Sequence, residues 1–265
     1  MEQQDWAQVV AAATRAPSIH NTQPWRFAAT PDRLDLFLDP DRALPVLDPT
    51  RRQQVISCGI ALEFAVVALA AGGRTAEVTL EPDPDDSDHL ATVRVTGDAA
   101  ASDEDAALAG AIERRHTVRA PFLTRDVPGE LIDRIQAEAG RFRTWVKPIT
   151  RSEEEVATVF LISRAEEIEA SDPAYRAELE RWVRTDPGAV DGVPAEAVPA
   201  GDPRERPSNW LIRDFVVGGR DQQSDFLPAG DPRERPSNWL IRDFVLGTPS
   251  TAPGSVRTHR SSSAR

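Results

Sequence analysis

Cysteine, methionine, tyrosine and lysine are almost missing from this chain of 265 residues. The single cysteine, Cys58, excludes an intrachain disulfide and any cysteine-based metal cluster, and it suits an intracellular, cytoplasmic protein. The single lysine, Lys147, among many arginines reads as coding bias rather than function. Neither GxGxxG nor GxxxxGK[ST] occurs, which speaks against a Rossmann or P-loop nucleotide site. The opening "MEQQDWAQ" has no basic n-region and no apolar h-region, so no secretory signal is expected. The longest apolar run, "IALEFAVVALAA" at 60–71, carries Glu63 and is shorter than the roughly 20 residues of a spanning helix. Positive charge is also in deficit. A net charge of −12 argues against nucleic acid or an anionic membrane as the main partner. Any anionic ligand would need a local arginine cluster.

What is present suffices for a core, since 40% of residues are apolar. Asp5 can cap a helix over about 6–15, with Trp6, Val9, Val10 and Ala13 on one face. Pro17 ends it, because proline disfavours helical geometry in the preceding residue. "WRFAAT" and "RLDLFLD" alternate like strands. Thr50 is positioned to cap a long helix through Ala71, with Gly72 and Gly73 as its stop. "RTAEVTL" and "LATVRV" form a further strand pair across an acidic turn at 83–88. Ser102 and Asp105 make a capping box for a helix ending at "IERR". Helices are predicted at about 129–139, 152–169 and 173–184, with "TWVKPI" a short strand between the first two. The stretch from 186 to about 207, rich in Pro, Gly and Asp, reads as irregular. The fold class is α+β, with antiparallel strands covered by helices.

"PAGDPRERPSNWLIRDFV" stands at 199–216 and again, letter for letter, at 228–245. Structural repeats diverge, and a solenoid needs about three of them, so one verbatim copy indicates a recent duplication or a sequence error. Residues 248–265 lack acidic residues and have little to bury, which predicts a disordered or frameshifted tail.

Two stretches carry chemistry. "APSIHNTQPWRF" at 16–27 is too polar for a core strand and too specific for a plain linker. "RRHTVRAPF" at 114–122 ends a helix with three arginines, a histidine and a threonine. The helix dipole accounts for Arg114 and Arg115. Extended alternation would place Arg115, Thr117 and Arg119 on one face, a set that suits a phosphate monoester. Plainer readings apply to several neighbours. Trp25 reads as core packing, His20 as a backbone bridge, and His116 as an exposed helix-end histidine. Cys58 reads as a small buried residue. Arg51 and Arg52 stand in a helix's first turn, where cations are disfavoured, so a ligand or carboxylate nearby or a plain surface position would explain them.

Together the stretches resemble the nitroreductase family of flavoproteins. "RHTVRAPF" is similar to its Arg-(His/Arg)-Ser/Thr-x-Arg/Lys phosphate motif, and "APSIHNTQPWRF" to its Pro-Ser-x-x-Asn-x-Gln-Pro-Trp motif. The order, with the Pro-Ser-x-x-Asn motif first and the arginine motif about a hundred residues later, resembles the Acg-like subgroup, in which two nitroreductase-like halves are fused. "DPTRRQQVISCGIALEFAVVALAAGG" is similar to that subgroup's central helix. The resemblance covers about 5–247 and implies a nitroreductase-like domain at 1–247: a first half to about 100, and an incomplete second half at about 101–247. It implies FMN as cofactor and NAD(P)H as electron donor. It places Arg115, His116 and Thr117 at the FMN phosphate and Arg119 at the pyrimidine edge of the flavin. Ser18, Asn21 and Gln23 would bond the ring or ribityl chain. Cofactor chemistry leaves no side chain needed as acid or base.

Three functions follow as alternatives. One is an FMN oxidoreductase passing electrons to a nitroaromatic, quinone or similar small-molecule acceptor. Another is an FMN-sequestering protein without turnover, with residues 186–247 as a lid that could carry Trp210 or Trp239. The third is a non-functional truncated gene product. A pseudo-dimeric monomer or a homodimer is expected.

Overall fold

The structure, a computed structural model, describes residues 6–117, 127–149 and 151–195. The duplicated segments, the tail, Asp5 and Arg119 lie outside the described residues. The described chain forms two compact units, one from residues up to 117 together with 177–194, the other from 127–176.

The first unit is built on a four-stranded antiparallel sheet. Strands β1 (Trp25–Ala29), β2 (Arg33–Leu38), β3 (Arg74–Leu80) and β4 (His89–Asp98) lie in the order β1-β2-β4-β3. The period of two sends Leu34, Leu36 and Leu38 of β2, and Ala91, Val93 and Val95 of β4, to one face, where all are buried. Helices α1 (Trp6–Ala13) and α2 (Arg52–Ala71) cover that face. Trp6, Val9 and Ala13 pack with Leu34, Ala65, Leu69, Val93 and Val95. Trp25, Leu36 and Leu38 pack with Cys58, Ala61 and Ala91. The alanines of α2 let the helix approach the sheet closely. This helix is long and apolar enough to cross a membrane by length and composition, and here it is the packed core helix of the unit.

Local signals acted as expected at most boundaries. Ser102 and Asp105 form the reciprocal capping box of α3 (Asp103–Arg114). Gly72 closes α2, and Gly73 follows in the left-handed region at φ 74°. The start of α2 differs. Arg51, not Thr50, is the N-cap, at φ 61° and without a side-chain cap bond. The buried carboxylate of Asp48 accepts the Gln54 amide at 2.9 Å instead, supplying negative charge where the helix dipole favours it. Arg51 ion-pairs with Asp88, which explains a cation at this end.

In the second unit, α4 spans Gly129–Arg141 and α5 spans Ser152–Ser171. "TWVKPI" is not a strand. No neighbouring strand among the described residues offers it a ladder, and Pro148 lacks the amide a ladder needs. Helix α6 (Pro173–Glu180) stops short of the expected 184. Trp182 turns inward to 6% exposure, and Val183–Arg184 (β5) pairs in parallel with Val193–Pro194 (β6). Burial of the indole and strand pairing outweigh continued helix.

Candidate functional site

The stretch 16–27 leaves α1 and enters β1 through a 3-10 turn at Ile19–Asn21. Its backbone is strained. His20, Asn21 and Gln23 have φ of 45°, 54° and 50°, the left-handed region that disfavours residues with a Cβ. Such a path persists only when its surroundings fix it, and here they do. Ser18 Oγ accepts the Gln23 amide at 2.9 Å, bridging the turn. Ser57 Oγ, on α2, accepts the Ile19 amide at 3.2 Å. The Pro24 carbonyl accepts from the Asp39 amide at 2.9 Å and from the Cys58 thiol at 3.2 Å. Burial pushes the Cys58 thiol up to about 12, so it stays a donor and is no nucleophile. Trp25 is buried in the core beneath the turn.

The polar groups of this turn meet the segment 182–194. Asn21 and Gly192 exchange two bonds: the Gly192 amide donates to the Asn21 carbonyl at 3.0 Å, and Asn21 Nδ2 donates to the Gly192 carbonyl at 3.1 Å. Gln23 Nε2 donates to the Val190 carbonyl. Arg42 Nη1 donates to the Thr22 carbonyl at 2.8 Å and to Asp191 Oδ2 at 3.0 Å. Arg184 Nε donates to Asp191 Oδ1 at 2.9 Å. Glu178, itself buried, accepts the Val46 and Leu47 amides at 3.0 and 2.9 Å and ties the same part of the chain to the loop before α2.

The Arg184 hydrogen bond holds the Asp191 carboxyl below its ordinary value; burial opposes this and Arg42 adds to it. A depressed folded-state value means that the ionised form stabilises the fold above the unfolded-state value. That contribution disappears as pH falls through the folded-state value. A carboxyl-carbon NMR titration should therefore give Asp191 a midpoint below about 3.9, returning toward it in Arg184→Ala.

The arginine motif reaches the same turn. Arg115, the C-cap of α3, donates from Nη2 to the Arg15 carbonyl at 3.0 Å, across a separation of 100 residues. Arg15 lies three residues before Ser18. Arg115 Nε is buried with no partner among the described residues. Burial, and then the nearby charge of Arg15, lower its pKa. A half-buried cation with a spare donor, next to a second cation, calls for an anion. His116 and Thr117 are exposed beside it, and His116 Nδ1 lies 3.1 Å from the Arg114 carbonyl. Thr22 Oγ1 and Trp182 Nε1 are further buried polar atoms without partners among the described residues. Sequence reading missed Arg42, Ser57, Trp182, Asp191 and Gly192. Only Gly192, in an Asp-Gly pair, carried a local turn signal.

The described residues thus combine a helix-covered antiparallel sheet, an α+β arrangement, with a strained Ser-x-x-Asn-x-Gln turn that meets an arginine from a distant helix end. No protein-family model matches the chain. It is 40% identical over 219 residues to a Mycobacterium tuberculosis H37Rv protein provisionally named NAD(P)H nitroreductase Rv3131, covering 83% of this chain and 61% of that protein. It is 32% identical over 225 residues to a protein of the same strain provisionally named NAD(P)H nitroreductase acg, covering 82% and 65%. It is 33% identical over 215 residues to the uncharacterized protein Rv3127, covering 78% and 60%. These relatives support a place in the nitroreductase family, beside Acg-like proteins, and the chain spans 60–65% of the length of the relatives it matches.

Proposed function

We propose that this chain is an FMN-dependent oxidoreductase of the nitroreductase type, using NAD(P)H to reduce a nitroaromatic, a quinone or a similar small molecule. The observation that carries the reading is the meeting of Arg115 with the Ser18–Gln23 turn at the Arg15 carbonyl. The donor set fits the cofactor. Arg115 has a buried donor with no partner among the described residues and lies beside the charge of Arg15, a setting that a phosphate monoester would answer. His116 and Thr117 are exposed donors beside it. Ser18, Asn21 and Gln23 would hold the ring or ribityl chain, and Arg119 would stand at the pyrimidine edge. Asn21 and Gln23 each use one amide N–H on the 190–192 backbone, which leaves their side-chain oxygens to accept from a ligand. When bound, FMN supplies the electron carrier; the protein binds, orients and shields it.

Purified protein should be yellow and should consume NADPH in the presence of a nitro compound or a quinone. Arg115→Ala should weaken FMN binding by about 10- to 100-fold, the worth of a charge-assisted phosphate contact. Flavin-free protein that stays colourless when mixed with FMN would falsify the reading.

A second reading has its own observation. The 190–192 backbone takes one side-chain N–H each from Asn21 and Gln23, so the segment sits on the turn expected to face the flavin. That favours an FMN-holding protein without turnover. Bound flavin that NADPH leaves oxidised would select this reading, and steady NADPH consumption would eliminate it.

A further inference from the structure

We propose that Arg42 is a positioning residue that couples the 182–194 segment to the Ser18–Gln23 turn, so that the seating of that segment and the affinity for flavin rise and fall together. The flavin part of this inference rests on the function proposed above. Arg42 lies in the short 3-10 turn Pro40–Arg42, outside both sequence motifs. From one guanidinium nitrogen it reaches the Thr22 carbonyl and the Asp191 carboxylate, 20 and 149 residues away. Thr22 is fully buried and is flanked by the left-handed residues Asn21 and Gln23. The strained turn is thus gripped at its middle carbonyl by a charged donor, the stronger kind of hydrogen bond.

The other half of the grip is the segment itself. Asp191 is shared between Arg42 and Arg184, and both guanidiniums lie over the Trp182 ring, at 6.0 and 5.4 Å from its centroid. The indole is buried and carries two partly exposed cations over its ring, a cation–π arrangement. With the segment so fixed, the Val190 and Gly192 carbonyls meet the Gln23 and Asn21 amides. Those amides belong to the residues assigned to flavin. If Arg42 lets go, the turn loses its middle anchor and the segment loses one of two cations at Asp191. Lysine is no full substitute: its ammonium can donate to two acceptors, but it lacks the planar guanidinium that lies over the indole.

The test uses the full chain, with and without FMN, as wild type and as Arg42→Ala, Arg42→Lys and Asp191→Asn. Amide hydrogen exchange is read in the flavin-free protein, and the FMN dissociation constant is read by flavin fluorescence. Arg42→Ala should accelerate exchange in both 19–25 and 183–194, leave α2 and β4 protected, and weaken FMN by about tenfold. Arg42→Lys should recover part of that loss, and Asp191→Asn should loosen 183–194 and weaken FMN in the same direction. Faster exchange confined to 183–194 with unchanged FMN affinity overturns the coupling, as does wild-type exchange in both segments. If Arg42→Ala fails to fold, the lysine and asparagine variants decide by the same two readouts. Wild-type protein that takes up no FMN removes the function proposed above, and the exchange measurements still decide whether Arg42 joins the two segments.

Discussion

Gly192→Ala is expected to release residues 182–194 from the Ser18–Gln23 turn. Gly192 sits at φ 73°, where an L side chain is strained. A Cβ there would stand 2.5 Å from the Trp182 carbonyl oxygen and 2.8 Å from Arg184 Cγ. The arginine stem can swing aside. The carbonyl cannot, because it accepts the Val193 amide at 2.8 Å in the short parallel pair of β5 and β6. The methyl group therefore costs the left-handed strain and one of two things besides: the β5–β6 pairing, or the paired bonds between Gly192 and Asn21. Together these amount to about 2–4 kcal/mol of local stability. Hydrogen exchange should show 183–194 losing protection while β2 and β4 keep theirs. Gly192→Asn, a residue more tolerant of left-handed backbone, meets the same carbonyl and should fare little better. The contrast with Gly59 sharpens the test. A Cβ at Gly59 meets nothing within 4 Å, so Gly59→Ala in the middle of α2 should be neutral or mildly stabilising.

The difference between these two glycines also shows what the sequence could and could not reveal. Helices and strands of the first unit were legible because their signals are local. The capping box at Ser102 is one, and the period-two leucines of β2 are another. Thr50 failed as a cap because Asp48, two residues earlier, folds its carboxylate back onto the amide of Gln54, the third residue of α2, a choice made by loop geometry. "TWVKPI" has strand composition but no strand beside it, and pairing is a tertiary fact. The candidate site divides in the same way. Ser18, Asn21, Gln23, Arg115, His116 and Thr117 were readable as residue types in two patterned stretches. That Arg115 would stop at the Arg15 carbonyl was not readable. Nor was the meeting of Arg42 with Asp191, or of Ser57 with the Ile19 amide. Those contacts join residues 100, 149 and 38 positions apart, and an ordinary Arg, Asp or Ser on a loop or helix carries no mark of its distant partner.

The same turn depends on apolar packing as much as on hydrogen bonds, and Leu36→Ala should expose that dependence. Leu36 is 1% exposed and lies in the cluster of Trp25, Leu38, Cys58, Ala61 and Ala91. Truncation removes most of a fully buried leucine from the wall it shares with Trp25, Leu38 and Cys58 and leaves a cavity there. The expected loss is about 3–4 kcal/mol, the middle of the range for buried leucines. It should appear as a fall of roughly 10 °C or more in the melting temperature of the first unit. The site should suffer before the unit melts. Trp25 ends the turn, and Cys58 holds the Pro24 carbonyl from the same cluster. A cavity between them loosens the frame that keeps His20, Asn21 and Gln23 in left-handed backbone. Leu36→Ala should therefore also raise exchange at 19–25 below the melting transition. Leu69→Ala is the control. Leu69 is equally buried but packs in the other cluster, with Trp6, Leu34 and Val93. It should cost similar global stability and leave the turn's exchange near wild type. Equal loosening of 19–25 in both variants would mean that the core acts on the turn only through global stability, not through the Trp25–Cys58 wall.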